Sequence, residues 1–276
     1  MFKYLKASFA RKKARRVTQE YPVQIDRFNL DGLGTIEFAN WLNPLATPVT
    51  LTSEMIAFFK KYIKEGDLVI DIGSHIGDTT VPMALCAGPS GMALGFDPNP
   101  YVYRILEQNA ALNAGKQNIV PVNLAISKEE EEFYFVSSEA AFTNGGISPT
   151  KESSHGKFVY PEKIKGVNLK KFLEAKYSDR LNKFSFIKID TEGYDKEIIK
   201  SISDLLSVYK PVIVAESFGD ASDEAKLELF DVIAKLGYEI SYFEDFDINA
   251  DVQKLNTRTD ITKWKKTINI CCIPKK

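Results

Sequence analysis

The feature that most constrains the fold is an apolar run that ends in an acid and continues into a glycine-containing turn. Residues 68–72 read Leu-Val-Ile-Asp-Ile and are followed by Gly73, Gly77 and an apparent helix. A short apolar run of this kind is typical of a buried parallel strand. Because glycine has no Cβ, we expect the backbone at 73 and 77 to come close to a ligand. The pattern predicts a pocket at the carboxyl edge of an α/β sheet.

A second apolar run supports the same interpretation. Residues 92–96 form an apparent strand that ends in Asp97. A carboxylate at the end of the neighbouring strand can accept hydrogen bonds from both hydroxyls of a ribose. The two runs together predict a ligand that contains a nucleoside.

Two classes of nucleotide fit such a pocket. A dinucleotide fold has the motif G-x-G-x-x-G, whereas here Gly73 and Gly77 enclose three residues and His75 takes the place of the middle glycine. Asp71 would also repel a pyrophosphate. S-adenosylmethionine has a ribose diol, a cationic amino-acid end and no phosphate, so it is the favoured cofactor. An NAD(P)-dependent oxidoreductase and a non-catalytic Rossmann-like binding protein stay as alternatives.

The order of the apparent elements predicts the fold class. Strands and helices alternate along most of the chain, which indicates a doubly wound, Rossmann-like α/β sheet that is mainly parallel. No clear helix separates the last two strands, so we expect an antiparallel C-terminal hairpin. The expected strands are 67–71, 92–96, 118–124, 184–190, 211–217, 238–243 and 266–273, and the clearest helices are 101–113, 196–206 and 223–236.

Length and turn residues suggest how the chain is divided. The 276 residues, 44% of them hydrophobic, suit one large domain with an extension. We expect a basic extension with a short β and loop region at 1–50, and the main domain at 51–276. Residues 137–165 are rich in Ser, Asn and Gly and break the alternation, which predicts an irregular insertion.

Charge and cysteine usage bound the partners and the compartment. A net charge of −1 gives no general attraction to nucleic acid. No apolar run approaches the roughly 20 residues of a membrane helix. The cysteines at 86, 271 and 272 lack metal-ligand spacing, and the absence of a disulfide pattern indicates a reducing, cytoplasmic location.

The N-terminus differs from the rest of the chain. Residues 1–16 hold seven basic residues and no acid, and Phe2, Leu5 and Phe9 recur at helical spacing. One interpretation is a basic amphipathic helix that makes peripheral contact with the inner membrane surface. The other is a solvated, frayed terminus. The sequence leaves both open.

These motifs resemble those of the FkbM family of S-adenosylmethionine-dependent methyltransferases. The family turn D-x-G-A-N-x-G corresponds to residues 71–77, with Ser74-His75 in place of Ala-Asn. The family's F-E-P-x-P corresponds to 96–100, and its I-K-I-D-x-E-G-x-E to 187–195, with Asp97 and Asp195 in place of Glu. Weaker matches are Asn144-Gly145-Gly146, the third-strand end at 123–127 and the fifth strand at 211–216. The resemblance covers roughly residues 50–245.

The resemblance implies a function and a set of cofactor contacts. It implies O-methylation, commonly of a sugar hydroxyl in a glycan, glycolipid or natural product. The expected partner is therefore a carbohydrate or another hydroxyl-bearing small molecule. The expected cofactor-binding residues are Asp71, Gly73, Ser74, His75, Gly77, Asp78, Thr79, Asp97, Pro98, Asn99, Ala125 and Asp190.

Methyl transfer to a hydroxyl calls for a group that accepts the hydroxyl proton. Carboxylates at the ends of the fourth and fifth strands, a nearby histidine and a lysine are the available side chains. Each has a structural alternative as a helix cap, ion-pair partner or packed turn residue. The candidates are Asp190, Glu192, His75, Glu216 and Lys188. Their spacing permits a divalent metal ion but does not require one.

Overall fold

A long, mostly parallel sheet forms the centre of the computed structural model, which describes residues 2–191 and 193–275. The strands follow the order β13-β12-β14-β11-β10-β3-β4-β5, and β5, β4, β3, β10 and β11 are parallel. Their bounds are β3 Leu68–Ile72, β4 Met92–Phe96, β5 Ile119–Val122, β10 Phe184–Ile189, β11 Val212–Ser217, β12 Tyr238–Phe243, β13 Val252–Lys254 and β14 Ile268–Pro274.

Helices cover both faces of this sheet. Two apolar clusters, one including Leu169 and Ile233 and the other Phe38 and Phe59, pack on the sheet's side chains. The helices are α1 Phe2–Ala14, α2 Ser53–Lys60, α3 Thr80–Ala87, α4 Pro100–Ala111, α5 Leu169–Lys176, α6 Asp195–Ser201, α7 Ser203–Tyr209 and α8 Asp223–Lys235, with 3₁₀ turns at Ser178–Lys183 and Arg258–Lys263. The predicted doubly wound α/β class is confirmed.

The predicted antiparallel pair at the C-terminus is also present. β14 lies between β11 and β12 and runs antiparallel to both. The connection is longer than a hairpin turn, because β13 and the 3₁₀ turn at Arg258–Lys263 come between the two strands.

Two predicted elements are shorter than expected. The helix predicted at 196–206 is divided into α6 and α7 at Ile202, just after Ser201 turns its hydroxyl back to the Ile198 carbonyl at 2.7 Å. Such back-bonding bends helices. The strand predicted at 118–124 leaves the central sheet after Val122, where the Asn123 side chain binds the Asp97 carbonyl at 2.8 Å.

The segment 137–165, predicted to be irregular, contributes to a second sheet in the order β6-β9-β7-β8. Pairing between β7 and β9 joins residues about thirty positions apart, for example Glu132 with Lys165, so no local sequence pattern predicts it. The irregular part is confined to the connections of this sheet. The strands are β6 Ala125–Ile126, β7 Glu131–Ser137, β8 Gly146–Ser148 and β9 Phe158–Val167.

An N-terminal hairpin packs over α4. It consists of β1 Val23–Leu30 and β2 Gly34–Trp41. The buried Asn109 of α4 accepts a hydrogen bond from Ala39 N at 2.7 Å and donates to Ala39 O at 3.2 Å and Ile76 O at 2.8 Å. One amide therefore joins the hairpin, α4 and the turn after β3.

We expect Asn109→Ala to lower the free energy of unfolding by about 2–3 kcal/mol, because it leaves buried backbone groups without partners. Urea denaturation measures this. The matched control is the exposed neighbour Gln108→Ala, which should change stability by less than about 0.5 kcal/mol. Equal effects of the two substitutions would show that the Asn109 bonds do not hold the hairpin.

Candidate active site

A cavity of about 280 Å³ opens at the carboxyl ends of β3, β4 and β10. Its walls come from the turns that follow these strands, from the end of β5 and from the loop before β8. The lining residues are Ile72, Gly73, His75, Asp78, Phe96, Asp97, Pro98, Asn99, Val102, Leu124, Ala125, Ile126, Phe135, Thr143, Asn144, Gly145, Gly146, Ile147, Lys188, Asp190, Thr191 and Tyr194.

Most of the expected cofactor residues lie on this wall. Gly73, His75, Asp78, Asp97, Pro98, Asn99, Ala125 and Asp190 line the cavity, as does the catalytic candidate Lys188. The remaining candidates Asp71, Ser74, Gly77, Thr79 and Glu216 do not line it. Glu192 lies outside the described residues.

Gly73 lies against the backbone of the neighbouring strand end. Its φ is +77°, and a Cβ built there would lie 1.9 Å from the Asp190 carbonyl oxygen. At Gly77, with φ +98°, a Cβ would meet the Leu106 side chain at 3.0 Å. The close approaches that exclude a side chain are those of the chain itself. The packing of β3 against β10 is by itself enough to require Gly73, and the expectation that a ligand approaches these glycines stays a prediction.

Asp97 presents a fixed carboxylate to the cavity. One oxygen accepts from His75 N and the other from Asn99 N, each at 2.8 Å. Burial raises the pKa of Asp97 to about 6, although the nearby His75 and the two backbone hydrogen bonds oppose the shift. Each carboxylate oxygen still has a lone pair to offer, so the group can accept from two hydroxyls of a ligand.

The acid at the end of β3 is an interior group. Asp71 is fully buried, and its Oδ2 accepts from Thr79 Oγ1 at 2.8 Å and from Thr80 Oγ1 at 2.6 Å. Its other oxygen lies 3.3 Å from Lys188 Nζ. Asp71 itself does not line the cavity, but its ion-pair partner Lys188 does.

Lys188 is almost fully buried and lies at the base of the cavity. Its Nζ lies 3.1 Å from Asp190 Oδ2 and 3.3 Å from both Asp71 Oδ1 and the Gly73 carbonyl. Burial by itself would lower the pKa of Lys188, but the carboxylates of Asp190, Asp71 and Asp78 outweigh it, and the pKa is raised. The lysine is therefore a charged anchor at neutral pH and cannot accept a proton.

Asp190 is the carboxylate most open to a ligand on this side. Its side chain is 37% exposed, whereas that of Asp71 is fully buried. Its backbone N–H donates to Ile72 O at 2.9 Å, which fixes the residue beside the turn after β3. With Oδ2 on Lys188, the carboxylate has a defined orientation and retains lone pairs for a ligand.

Asp195 holds the carboxyl end of β10 through hydrogen bonds. Its carboxylate accepts from Thr191 Oγ1 at 2.8 Å and from Glu216 N at 3.0 Å, so it joins the ends of β10 and β11. Burial raises the pKa of Asp195 to about 6 against the effect of these hydrogen bonds. In this chain Asp195 therefore fixes the backbone next to Asp190.

His75 contacts the far wall of the cavity. Its Nε2 lies 3.2 Å from the Thr143 carbonyl, and its backbone has φ +46°. The two preceding carbonyls are also held by side chains, since Asn43 donates to Ala141 O and Asn99 to Phe142 O. Residues 140–143 are thus fixed across the cavity by the turns after β2, β3 and β4.

Several wall residues have no counterpart among the sequence-based site candidates. Tyr194, Thr143 and Ile147 line the cavity, and Tyr194 is 41% exposed. The one available signal was Asn144-Gly145-Gly146, where a Cβ on Gly145 would lie 2.5 Å from the Val136 carbonyl. Thr143 and Ile147 reach the cavity through the second sheet, which the sequence did not predict, whereas Tyr194 lies between β10 and α6.

The wall has two chemically distinct parts. The part around Asp97 pairs a carboxylate with apolar neighbours such as Leu124, Ala125 and Ile126, which suits a ribose that carries a planar base. The part around Asp190 is polar and ends at Tyr194. No group of three or more His, Cys, Asp or Glu side chains is placed to hold a metal ion within residues 2–191 and 193–275.

The contact between Gly73 and Asp190 generates a test. Gly73→Ala should destabilise the protein by about 1–3 kcal/mol more than Gly115→Ala, since overlap with the Asp190 carbonyl forces the strand ends apart. The control is closely matched because Gly115 also has φ +77° but has no atom within 4 Å of a built Cβ. Thermal and urea unfolding measure the difference. Equal destabilisation would mean that backbone strain alone demands Gly73.

Comparison with known proteins agrees with this geometry. The profile of the methyltransferase FkbM domain matches residues 71–240. Hexuronic acid methyltransferase AglP of Haloferax volcanii is 28% identical over 199 residues, which are 71% of this chain and 75% of that protein. A probable cobalt-precorrin-6B C(15)-methyltransferase (decarboxylating) of Saccharolobus solfataricus is 32% identical over 111 residues, 38% of this chain and 53% of that protein.

Solved structures include a methyltransferase FkbM from Methylobacillus flagellatus, with a TM-score of 0.44 and 11% identity over 79% of this chain and 50% of that one. The family match favours the methyltransferase interpretation over a nicotinamide-dependent oxidoreductase and over a non-catalytic binding protein. The profile match spans more than half of the chain and includes both the turn after β3 and the motif after β10. The chain belongs to the FkbM family of S-adenosylmethionine-dependent methyltransferases.

Proposed function

We propose that this enzyme transfers a methyl group from S-adenosylmethionine to a hydroxyl group of a carbohydrate. The observation that carries the proposal is the oriented, partly exposed carboxylate of Asp190, which shares a cavity with the ribose-type site at Asp97. The name of the relative AglP, a hexuronic acid methyltransferase, supports a sugar acceptor. A hydroxyl acceptor needs a base of this kind, since it must lose its proton.

The residues around Asp97 fit the cofactor. The Asp97 carboxylate would accept the ribose hydroxyls, and Leu124, Ala125 and Ile126 would pack on the base. When bound, S-adenosylmethionine supplies a methyl group activated by a sulfonium. The protein's own task is to hold this group and the acceptor in line, and alignment alone can contribute about 7–11 kcal/mol.

Asp190 is the proposed general base. Lys188 binds its Oδ2 at 3.1 Å and holds the carboxylate toward the cavity, so Oδ1 is available to the acceptor hydroxyl. As the oxygen of the acceptor hydroxyl attacks the methyl carbon, the hydroxyl proton passes to Asp190 and then to solvent. A base placed in this way typically contributes about 10²–10⁴-fold to the rate.

His75 is the second candidate for the base. Its Nε2 faces the Thr143 carbonyl at 3.2 Å, an arrangement in which Nε2 donates and the Nδ1 lone pair is available. Its ring lies edge-on to Trp41 at 6.4 Å between centroids, which restricts its reorientation. Asp190 is preferred because its carboxylate is already oriented by a charged neighbour.

Tyr194 is the proposed contact for the acceptor. It lies four residues beyond Asp190, lines the cavity and exposes 41% of its surface. An aromatic face can cover the apolar face of a sugar ring while its hydroxyl binds polar groups.

Incubation with S-adenosylmethionine and a panel of sugars that includes hexuronic acids, read by mass spectrometry, tests the substrate class. Methylation confined to non-sugar hydroxyls would contradict it.

The ionisation of Asp97 should control cofactor affinity. Its pKa of about 6 means that the carboxylate is charged above this pH and protonated below it. We expect the affinity for S-adenosylhomocysteine to be full above about 6 and to fall as the pH is lowered through that value. Calorimetric titration across this range measures the profile. In the ligand-free protein, folded Asp97 takes up a proton near pH 6, whereas the unfolded chain does so only near 3.8. The contribution of Asp97 to the free energy of unfolding therefore becomes more favourable as the pH falls through this range.

Two variants assign this pH dependence. Asp97→Asn should lower affinity about tenfold or more and flatten the profile, since it removes the charge and turns an amide toward a backbone N–H. His75→Asn retains the backbone donor to Asp97 and should preserve the fall near pH 6. A profile that flattens only in the His75 variant would assign the titration to the imidazole.

Asp190→Asn should lower kcat by about 10²-fold or more with little change in cofactor affinity. The substitution keeps the shape of the side chain and removes the base. The control is Asp220→Asn, an exposed carboxylate beyond β11, which should leave kcat unchanged. If the Asp190 variant turns over at the wild-type rate while His75→Asn does not, the imidazole is the base.

A further inference from the structure

The N-terminal helix carries a concentrated positive charge. Residues 1–16 contain seven basic and no acidic residues, whereas the rest of the chain has 29 basic and 37 acidic residues. Within residues 2–191 and 193–275, the described basic side chains of α1 and its C-terminal end form no ion pair. They are Lys6, Arg11, Lys12, Lys13, Arg15 and Arg16. The positive charge of α1 is therefore concentrated at one place and available to an anionic partner.

The same helix exposes large apolar side chains. Leu5 is 57% exposed and Phe9 is 72% exposed, and the two lie one turn apart on one face. Together with Ala10, Tyr21 and Pro44 they line a mostly apolar groove of about 700 Å³. Lys6 and Lys13 stand in the lining of the same groove. Apolar groups and cations thus share one surface.

The helix is attached to the cavity wall. Ala14 is fully buried, and the carbonyl of Arg15 accepts a hydrogen bond from Ala140 N at 3.3 Å. Ala140 begins the segment 140–143, whose later residues contact Asn99 and His75. The orientation of α1 is therefore linked to that of the cavity.

We propose that α1 docks this enzyme onto an anionic lipid bilayer. The apolar side chains of Leu5 and Phe9 enter the boundary of the acyl chains, and the surrounding lysines and arginines bind lipid phosphates. A nucleic acid would be attracted by the charge and could stack a base on Phe9, but it would gain little from the exposed aliphatic side chain of Leu5 one turn away. The combination of both features on one helix favours lipid. This inference is independent of the methyl acceptor.

Co-sedimentation of the full chain with vesicles tests the proposal. Wild-type protein should bind vesicles of phosphatidylglycerol and phosphatidylcholine and not vesicles of phosphatidylcholine alone. Leu5→Ser with Phe9→Ser, and separately Lys6→Gln with Lys13→Gln, should each lower the bound fraction by about tenfold. Circular dichroism and titration with S-adenosylhomocysteine confirm that each variant is folded.

Matched controls separate this surface from a general effect. Val208→Ser removes an apolar side chain that is 71% exposed on α7, and Lys183→Gln with Lys235→Gln removes the same charge elsewhere. Both controls should bind like wild type. The proposal is overturned if wild type ignores anionic vesicles, or if the controls lose binding equally. It is also overturned if the Leu5 and Phe9 variant binds normally, since attraction to any polyanion, RNA included, would then explain the result.

Discussion

The site depends on the ammonium group of Lys188, buried between Asp71 and Asp190. Lys188 and Asp71 are direct neighbours across β10 and β3, so the ion pair joins the two strands from which the cavity is built. Burying Lys188 and Asp71 carries a large desolvation cost, and removing one partner of a buried ion pair typically costs about 3–5 kcal/mol. The negative charges of the carboxylates offset this cost, because they stabilise the protonated form of Lys188. The lysine in turn directs Asp190 toward the cavity.

The backbone around this ion pair is packed as tightly as the charges. The Phe96 carbonyl accepts from both Gly73 N and Ser74 N, at 2.9 and 3.0 Å, and Asp190 N donates to the Ile72 carbonyl. The turn after β3 is thus bonded to the strands on both sides. Asp97 and Asp190 line one cavity because each follows a strand adjacent to β3. A methyl donor and an acceptor can be aligned only if these two strand ends keep a constant separation.

The second sheet closes the other side of the cavity and differs in character. Its loop at 140–143 is held by side chains from three separate turns and by the end of α1. Asn144 lines the cavity directly after this loop, and Tyr194, the proposed acceptor contact, lies just beyond β10. The central sheet therefore supplies the carboxylates proposed to bind the cofactor and the acceptor hydroxyl, and the second sheet supplies the opposite wall of the cavity.

Local sequence determined the central strands, the turn after β3 and the identity of the family. Residues 92–96 were predicted with their observed bounds because a buried parallel strand leaves a continuous apolar signature. Residues 238–243 were also predicted with their observed bounds, because apolar and polar residues alternate at the start of this antiparallel strand. The acids at 97 and 190 could be assigned to one edge of the sheet, since parallel strands end together. These features depend on short stretches of chain and on the regular geometry of the sheet.

Only the tertiary structure decided how the remaining residues are used. It gave Asp71 an interior role, because Thr79, Thr80 and Lys188 surround its carboxylate. It showed that Gly73 makes room for the Asp190 carbonyl, more than one hundred residues away. It also placed β8 and most of β9 within the segment predicted as irregular, through their pairing with β7. Each of these outcomes rests on contacts between distant parts of the chain, which no local pattern encodes.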